Sequence, residues 1–86
     1  MRLEDEIRQR LAALSPDSVE LYDDSAAHAG HAGNRGGGHY DLVIVAAVFA
    51  GQNALQRHRT VYGVLGDLIP DRVHALSVKA YAPGEL

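Results

Sequence analysis

The run Tyr40-Asp-Leu-Val-Ile-Val-Ala-Ala47 constrains this chain more than any other segment. It is almost continuously apolar and rich in β-branched residues, and it is too short for a helix of ordinary length. Such a run suits a strand covered on both faces or central in its sheet. The chain has 86 residues, enough for one domain. A domain of this size buries only about 60–65% of the surface its unfolded chain exposes, so everything else must be arranged economically around that strand.

On either side of it lie helical patterns. Leu3, Ile7, Leu11 and Leu14 recur at helical spacing, with acids first and arginines later, which suits the helix dipole. Ser15-Pro16-Asp17 stops this helix, expected over residues 2–14. Val19 to Tyr22 alternates as a half-buried strand. After the central strand, Phe49-Ala-Gly51 turns the chain, and Asn53 with Gln56 forms a capping-box pair that opens a helix expected over 54–69. Leu55, His58, Tyr62, Leu65 and Ile69 define its apolar face, with Val61 and Leu68 beside it. Pro70-Asp71 ends it. Leu76, Val78 and Ala80 alternate with Ser77, Lys79 and Tyr81 as a third strand.

The predicted order is α-β-β-α-β. The first two strands are antiparallel neighbours, and the third, reached by a helical crossover, is free to pair in parallel. The expected fold class is α+β: a three-stranded mixed sheet with the helices packed on one face, residues 1–86 forming a single domain. Its one anomalous stretch is residues 24–38, with five glycines, four alanines and no large apolar side chain. A loop of that length in so small a domain is usually functional or mobile.

Composition excludes several functions. There is no cysteine, hence no disulfide, thiolate ligand or thiol nucleophile from this chain. A metal would have to be held by His, Asp or Glu. The formal net charge of −3 argues against a strong general nucleic-acid binder. Residues 1–24 hold seven acids and three bases, and residues 25–86 four acids and five bases, which leaves room for a modest basic patch in the second part. No apolar run approaches membrane-spanning length, and the acidic N-terminus resembles neither a secretory signal nor a transit peptide, so the expected residence is cytoplasmic.

The chemistry-bearing candidates are mostly histidines. His28 and His31 form an H-x-x-H among glycines, without the adjacent general base of a zinc protease. They are either a polar loop pair or metal ligands. His74 opens the third strand in parity with Leu76, so it is either a core-edge histidine or a ligand. His58, on the apolar stripe, and His39, opening the second strand, read as structural. Arg57 and Arg59 project to either side of the stripe, where they could meet phosphate or an acidic partner. Gly63-Val-Leu-Gly66 matches the G-x-x-G backbone clamp of nucleic-acid-binding domains. The apolar period runs through it, so close packing is the expected reason for these glycines. Asp24, Ser25 and His28 suggest no enzyme, for nothing supplies an oxyanion hole or a rigid platform.

The fragments Tyr22-Asp-Asp-Ser25, His28-Ala-Gly-His31, Gly38-His-Tyr40, Phe49-Ala-Gly51, Leu55-Gln-Arg-His-Arg59 with Val61-Tyr62, and Val73-His-Ala-Leu76 together resemble the BolA family pattern. They stand in order and in register across essentially the whole chain. Ala46-Ala47, where the family commonly shows a serine, and Gly36-Gly-Gly38 depart from it without touching the histidines. The resemblance implies a fold similar to a class II KH domain and an adaptor role, not an enzymatic one. It also implies a monothiol glutaredoxin partner and a function in iron–sulfur cluster and iron homeostasis. The implied cofactor is a [2Fe–2S] cluster shared with the glutaredoxin and its glutathione, and absent from the isolated apo protein. His74 would be one ligand, and His28, or His31 in its place, the second. The alternative it implies is a DNA-binding transcriptional regulator using Arg57 and Arg59. A second copy of the chain is a further candidate partner; a membrane is not.

Overall fold

The computed structural model describes residues 2–23, 38–69 and 73–86, with His74 by its backbone alone. The expected order of elements is present: helix α1 (Leu3–Leu11), strand β1 (Ser18–Asp23), strand β2 (Gly38–Val45), helix α2 (Ala54–Leu65) and strand β3 (Val73–Tyr81). Each helix ends in a tighter 3-10 turn, Ala12–Leu14 after α1 and Gly66–Leu68 after α2, so both α-helices are shorter than their apolar periods suggest. Ser15 ends the first in the left-handed region, at φ 50°. The Asn53–Gln56 capping box opens the second, each side chain bonding the other's backbone N–H at 2.8 Å.

The sheet order is β1-β2-β3, β1 antiparallel and β3 parallel to β2. The apolar run is thus the central strand. Pairing sets Leu21, Leu42 and Val78 in one row, Val19, Ile44 and Ala80 in the next, and Tyr40 beside Leu76. These residues share one face, since neighbours across a sheet point the same way. The helices cover that face, with Ile7 and Leu11 from α1 and Val61 and Leu65 from α2 fully buried. Among the described residues, the other face carries exposed Glu20, Tyr22, Asp41, Ser77 and Lys79, with Val45 buried at its end and no helix over it. The strand is therefore central and, among the described residues, covered by helices on one side.

Two expectations about α2 are corrected. Its buried stripe is Val61, Leu65 and Leu68, whereas Leu55 is 57% exposed and His58 is also exposed. Leu65 belongs to both candidate stripes, and tertiary packing selects the one rotated toward the sheet. The G-x-x-G glycines are not explained by close packing. Gly63 is exposed, and a Cβ there would meet nothing within 4 Å. Gly66 ends α2 at φ 49°, a backbone conformation that side chains disfavour. Opposite results are expected from thermal or urea unfolding. Gly63→Ala should raise stability by about 0.5–1 kcal/mol, and Gly66→Ala should lower it by about 1–2 kcal/mol. Equal responses would refute this division.

Candidate histidine site and its surroundings

One end of the sheet gathers most of the candidate residues. β1 ends at Asp23, which pairs with Tyr40; β2 begins at Gly38, which pairs with Val73. The next pairing is His39 with Ala75, so one step along β2 corresponds to two along β3. His74 is the residue passed over, an irregularity of the β-bulge type. Val73 and Leu76, three positions apart, are both buried, so the strand's alternation is broken between them. The parity count that made His74 a core-edge residue does not carry across this break. His28 and His31, like Asp24 and Ser25, lie outside the described residues. The chain positions that bracket them, Asp23 and Gly38, both lie at this end of the sheet.

Tyr40 is buried here, and burial raises its hydroxyl pKa above the ordinary tyrosine value, with the Asp23 and Glu4 carboxylates adding to the rise. His39 is half-buried in the second position of β2. Among the described residues, no group of three or more His, Asp or Glu side chains could enclose a metal ion. With no cysteine in the chain, described donors alone make no complete metal site.

At the far end of the sheet, the expected basic pair is divided. Arg57 is turned inward. Its Nε donates to the Gln52 carbonyl at 2.9 Å, and Nη1 donates to the Ala80 carbonyl at 2.9 Å and to Glu85 Oε1 at 2.6 Å. Nη2 completes a fork on Glu85 Oε2 at 2.9 Å. Arg57 therefore joins the first turn of α2 to the end of β3 and the C-terminal residues, while Arg59 stays exposed. His58 is not core; it stacks on Tyr62 with ring centroids 4.1 Å apart, and the Tyr62 hydroxyl donates to the Leu76 carbonyl at 3.4 Å. Sequence reasoning missed Glu85, because a partner 28 positions from Arg57 leaves no local signal.

Glu85 also accepts from the Ala82 N–H at 2.8 Å. The Arg57 hydrogen bonds and this backbone contact hold its carboxyl near pKa 2, below the usual 4.5. A depressed folded-state pKa contributes stability that is present above about pH 4.5 and lost as pH falls through about 2. Glu85→Gln should therefore lower the melting temperature at neutral pH and leave it nearly unchanged near pH 2. Paired thermal scans test this; an equal loss at both pH values would contradict it. A parallel contact closes α2, where Arg10 donates to the Leu65 carbonyl at 3.0 Å and to Asp67 at 2.9 Å. That pairing holds the Asp67 carboxyl below its ordinary pKa.

Between the first turns of α2 and the second half of β3 runs a groove of about 340 Å³, lined by Ala54, Arg57 and His58 on one side and Val78, Lys79 and Ala80 on the other. Among the described residues, no helix is long and apolar enough to cross a membrane.

Residues 11–85 match the family model described as BolA-like protein. The chain is 39% identical over 87 residues to the SufE-like protein 1, chloroplastic/mitochondrial, of Arabidopsis thaliana, covering 93% of this chain and 24% of that protein. It is 39% identical over 80 residues to mouse BolA-like protein 1, covering 92% of this chain and 57% of the relative. The chain thus spans less than two thirds of either relative's length. Over 93% of its length it is 35% identical to the DNA-binding transcriptional regulator BolA of Escherichia coli, of which it covers 71%. Among solved structures, it superposes on the BolA domain of SufE1 from Arabidopsis thaliana with a TM-score of 0.85, at 35% identity, over 100% of this chain and 99% of that one. On BolA1 from Mus musculus the TM-score is 0.82, at 37% identity, over 99% of this chain and 68% of the other. The two helices, the mixed sheet and the match over nearly the whole sequence have one reading: the chain belongs to the BolA-like protein family.

Proposed function

We propose that this protein is a binding module, not an enzyme: an adaptor that docks on a monothiol glutaredoxin and contributes histidine ligands to a [2Fe–2S] cluster shared between them. His74 would be one ligand and His28 the second, with His31 able to replace it. The thiolates would come from the glutaredoxin and its glutathione, in keeping with a chain that has none. The observation that carries this reading is topological. The sheet end where β3 passes over His74 is also where Asp23 and Gly38 bracket the segment containing His28 and His31.

The donor set fits such a group, because neutral imidazole binds iron, and imidazole in place of thiolate raises a cluster's potential. The role would lie in iron–sulfur cluster and iron homeostasis. The test is an anaerobic pull-down with the 86-residue chain as bait, reading the captured proteins and the visible spectrum together. Co-purification of a monothiol glutaredoxin with a spectrum distinct from that of the glutaredoxin alone is expected. A coloured glutaredoxin that never retains this chain would refute the proposal.

A second reading is favoured by the name of the Escherichia coli relative, a DNA-binding transcriptional regulator. In this chain Arg57 is already bonded within the molecule, so phosphate contact would fall to Arg59 and nearby backbone. With few free bases and a net charge of −3, affinity for duplex DNA should be modest and its salt dependence shallow. Tight binding that persists at physiological salt and collapses in Arg59→Ala as well as in an Arg57→Ala, Arg59→Ala double variant would put this reading first; loss only when Arg57 is removed would reflect its structural bonds.

A further inference from the structure

The outer edge of β3 is only partly closed. The Ala46 N–H donates to the Tyr81 carbonyl, which sets the hydrogen-bonding phase of the parallel β2–β3 pair. In a parallel ladder alternate residues of each strand bond the neighbour, so Ala75, Ser77, Lys79 and Tyr81 turn their backbone groups to β2. Leu76, Val78 and Ala80 turn theirs outward, away from the sheet. Two of these outward carbonyls are occupied by α2: Tyr62 reaches Leu76, and Arg57 reaches Ala80. Between them lies Val78, whose N–H and carbonyl, among the described residues, have no such cap. It lines the groove between α2 and β3.

We propose that this gap is a docking site for an extended acidic peptide segment of a partner protein, added beside β3 as a short fourth strand. A strand laid there meets unpaired main-chain groups at Val78, and main-chain pairing is what supplies affinity when a peptide extends a sheet edge. Alternate side chains then fall on opposite faces. Those on the helix side meet Ala54, Val78 and Ala80, which suits small apolar groups. Those on the open side run beside Lys79, which is exposed on that face.

The charged and titratable groups lining the groove are Arg57, His58, Lys79 and Tyr81, with no carboxylate among them; Arg57 is bonded to Glu85, so an acidic segment would be met by Lys79, beside which Asp41 lines the open face. The chain's own Glu85 carboxylate is already seated on Arg57 at one end. A second copy of this chain fits poorly, because it would bring its own His58 and Lys79 to the same edge, and lysine on an edge strand opposes such self-pairing. A nucleic acid finds its strongest phosphate ligand, Arg57, already taken. The site is independent of the cluster reading, since neither His74 nor residues 24–38 take part.

The test uses the isotopically labelled full chain and a blocked pentapeptide alternating glutamate and valine, followed by amide chemical shifts and hydrogen exchange. Expected are shifts concentrated at Val78, Lys79 and Ala80, slowed exchange of the Val78 amide, and no binding of the same peptide with lysine for glutamate. Val78→Pro removes an outward N–H, not a ladder bond, and should abolish binding; because the Val78 side chain also packs against the core, its melting temperature is read alongside and the surface variant at Lys79 carries the test. Lys79→Glu, a surface change that leaves the core intact, should weaken it about fivefold or more.

Shifts mapping elsewhere, equal binding of both peptides, or undiminished binding by Lys79→Glu would overturn the proposal. So would the same amides responding to protein concentration alone, which would assign the edge to a second copy. A response of these amides to duplex DNA but not to the peptide would make the groove a nucleic-acid cleft instead.

Discussion

Replacing His74 with alanine is expected to abolish the visible absorption and circular dichroism of the complex reconstituted with a monothiol glutaredoxin and glutathione. Val73 and Ala75 on either side of it are both paired to β2, so its backbone is held before any partner arrives, and little ordering entropy is lost on ligation. His28 belongs to a glycine-rich stretch in which His31 follows three residues later. His28→Ala should therefore weaken or alter the spectrum without eliminating it, because His31 substitutes in part. Only the His28→Ala, His31→Ala double variant should match the loss at His74. Docking of the apo proteins, read by calorimetry, should survive all three changes, since protein–protein contacts need not pass through the metal. An unchanged spectrum with His74→Ala would sink the ligand assignment. Complete loss in both single variants would remove the redundancy ascribed to His31.

The largest effect on stability should come from Phe49→Ala. Phe49 is fully buried, the largest of the fully buried side chains among the described residues, and sits in the 3-10 turn Ala47–Phe49 that leads from β2 toward α2. Its backbone is held as well, the N–H donating to Ala46 and the carbonyl accepting from Gln52. Truncation removes the ring's burial and leaves a cavity that a two-layer domain cannot easily refill, at a cost of about 3–5 kcal/mol. Against a typical domain stability of about 5–15 kcal/mol this is severe, and the melting temperature should fall by roughly 12 °C or more. Phe49→Leu should cost much less, because most of the volume is kept. A loss of about 1 kcal/mol or less for the alanine variant, by urea unfolding, would mean the turn relaxes around the gap.

Much of this architecture was legible in the order of residues, for reasons that are local. The period of Leu3, Ile7 and Leu11, the Asn53–Gln56 pair, the β-branched run Leu42–Val45 and the alternation of Leu76, Val78 and Ala80 each report on the few residues around them. Helix and strand repeats are properties of the chain itself. The crossover length between β2 and β3 then permitted the parallel pairing that is observed. Family membership was legible for the same reason, since its fragments are short and keep their order.

What packing decided was which of several locally equivalent choices wins. Two overlapping apolar stripes run along α2, and the rotation that buries Val61, Leu65 and Leu68 leaves Leu55 and His58 outside. No periodicity separates them, because Leu65 lies on both. Gly66 needed the chain reversal after α2 to give it a role, and Gly63 has no packing role at all. Arg57 read as a free cation because its fork partner, Glu85, stands far along the chain and meets it only after β3 has been laid beside β2. The bulge at His74 has the same origin. Side-chain parity can be counted along a single strand, but an extra residue appears only when two strands are paired and one of them proves longer.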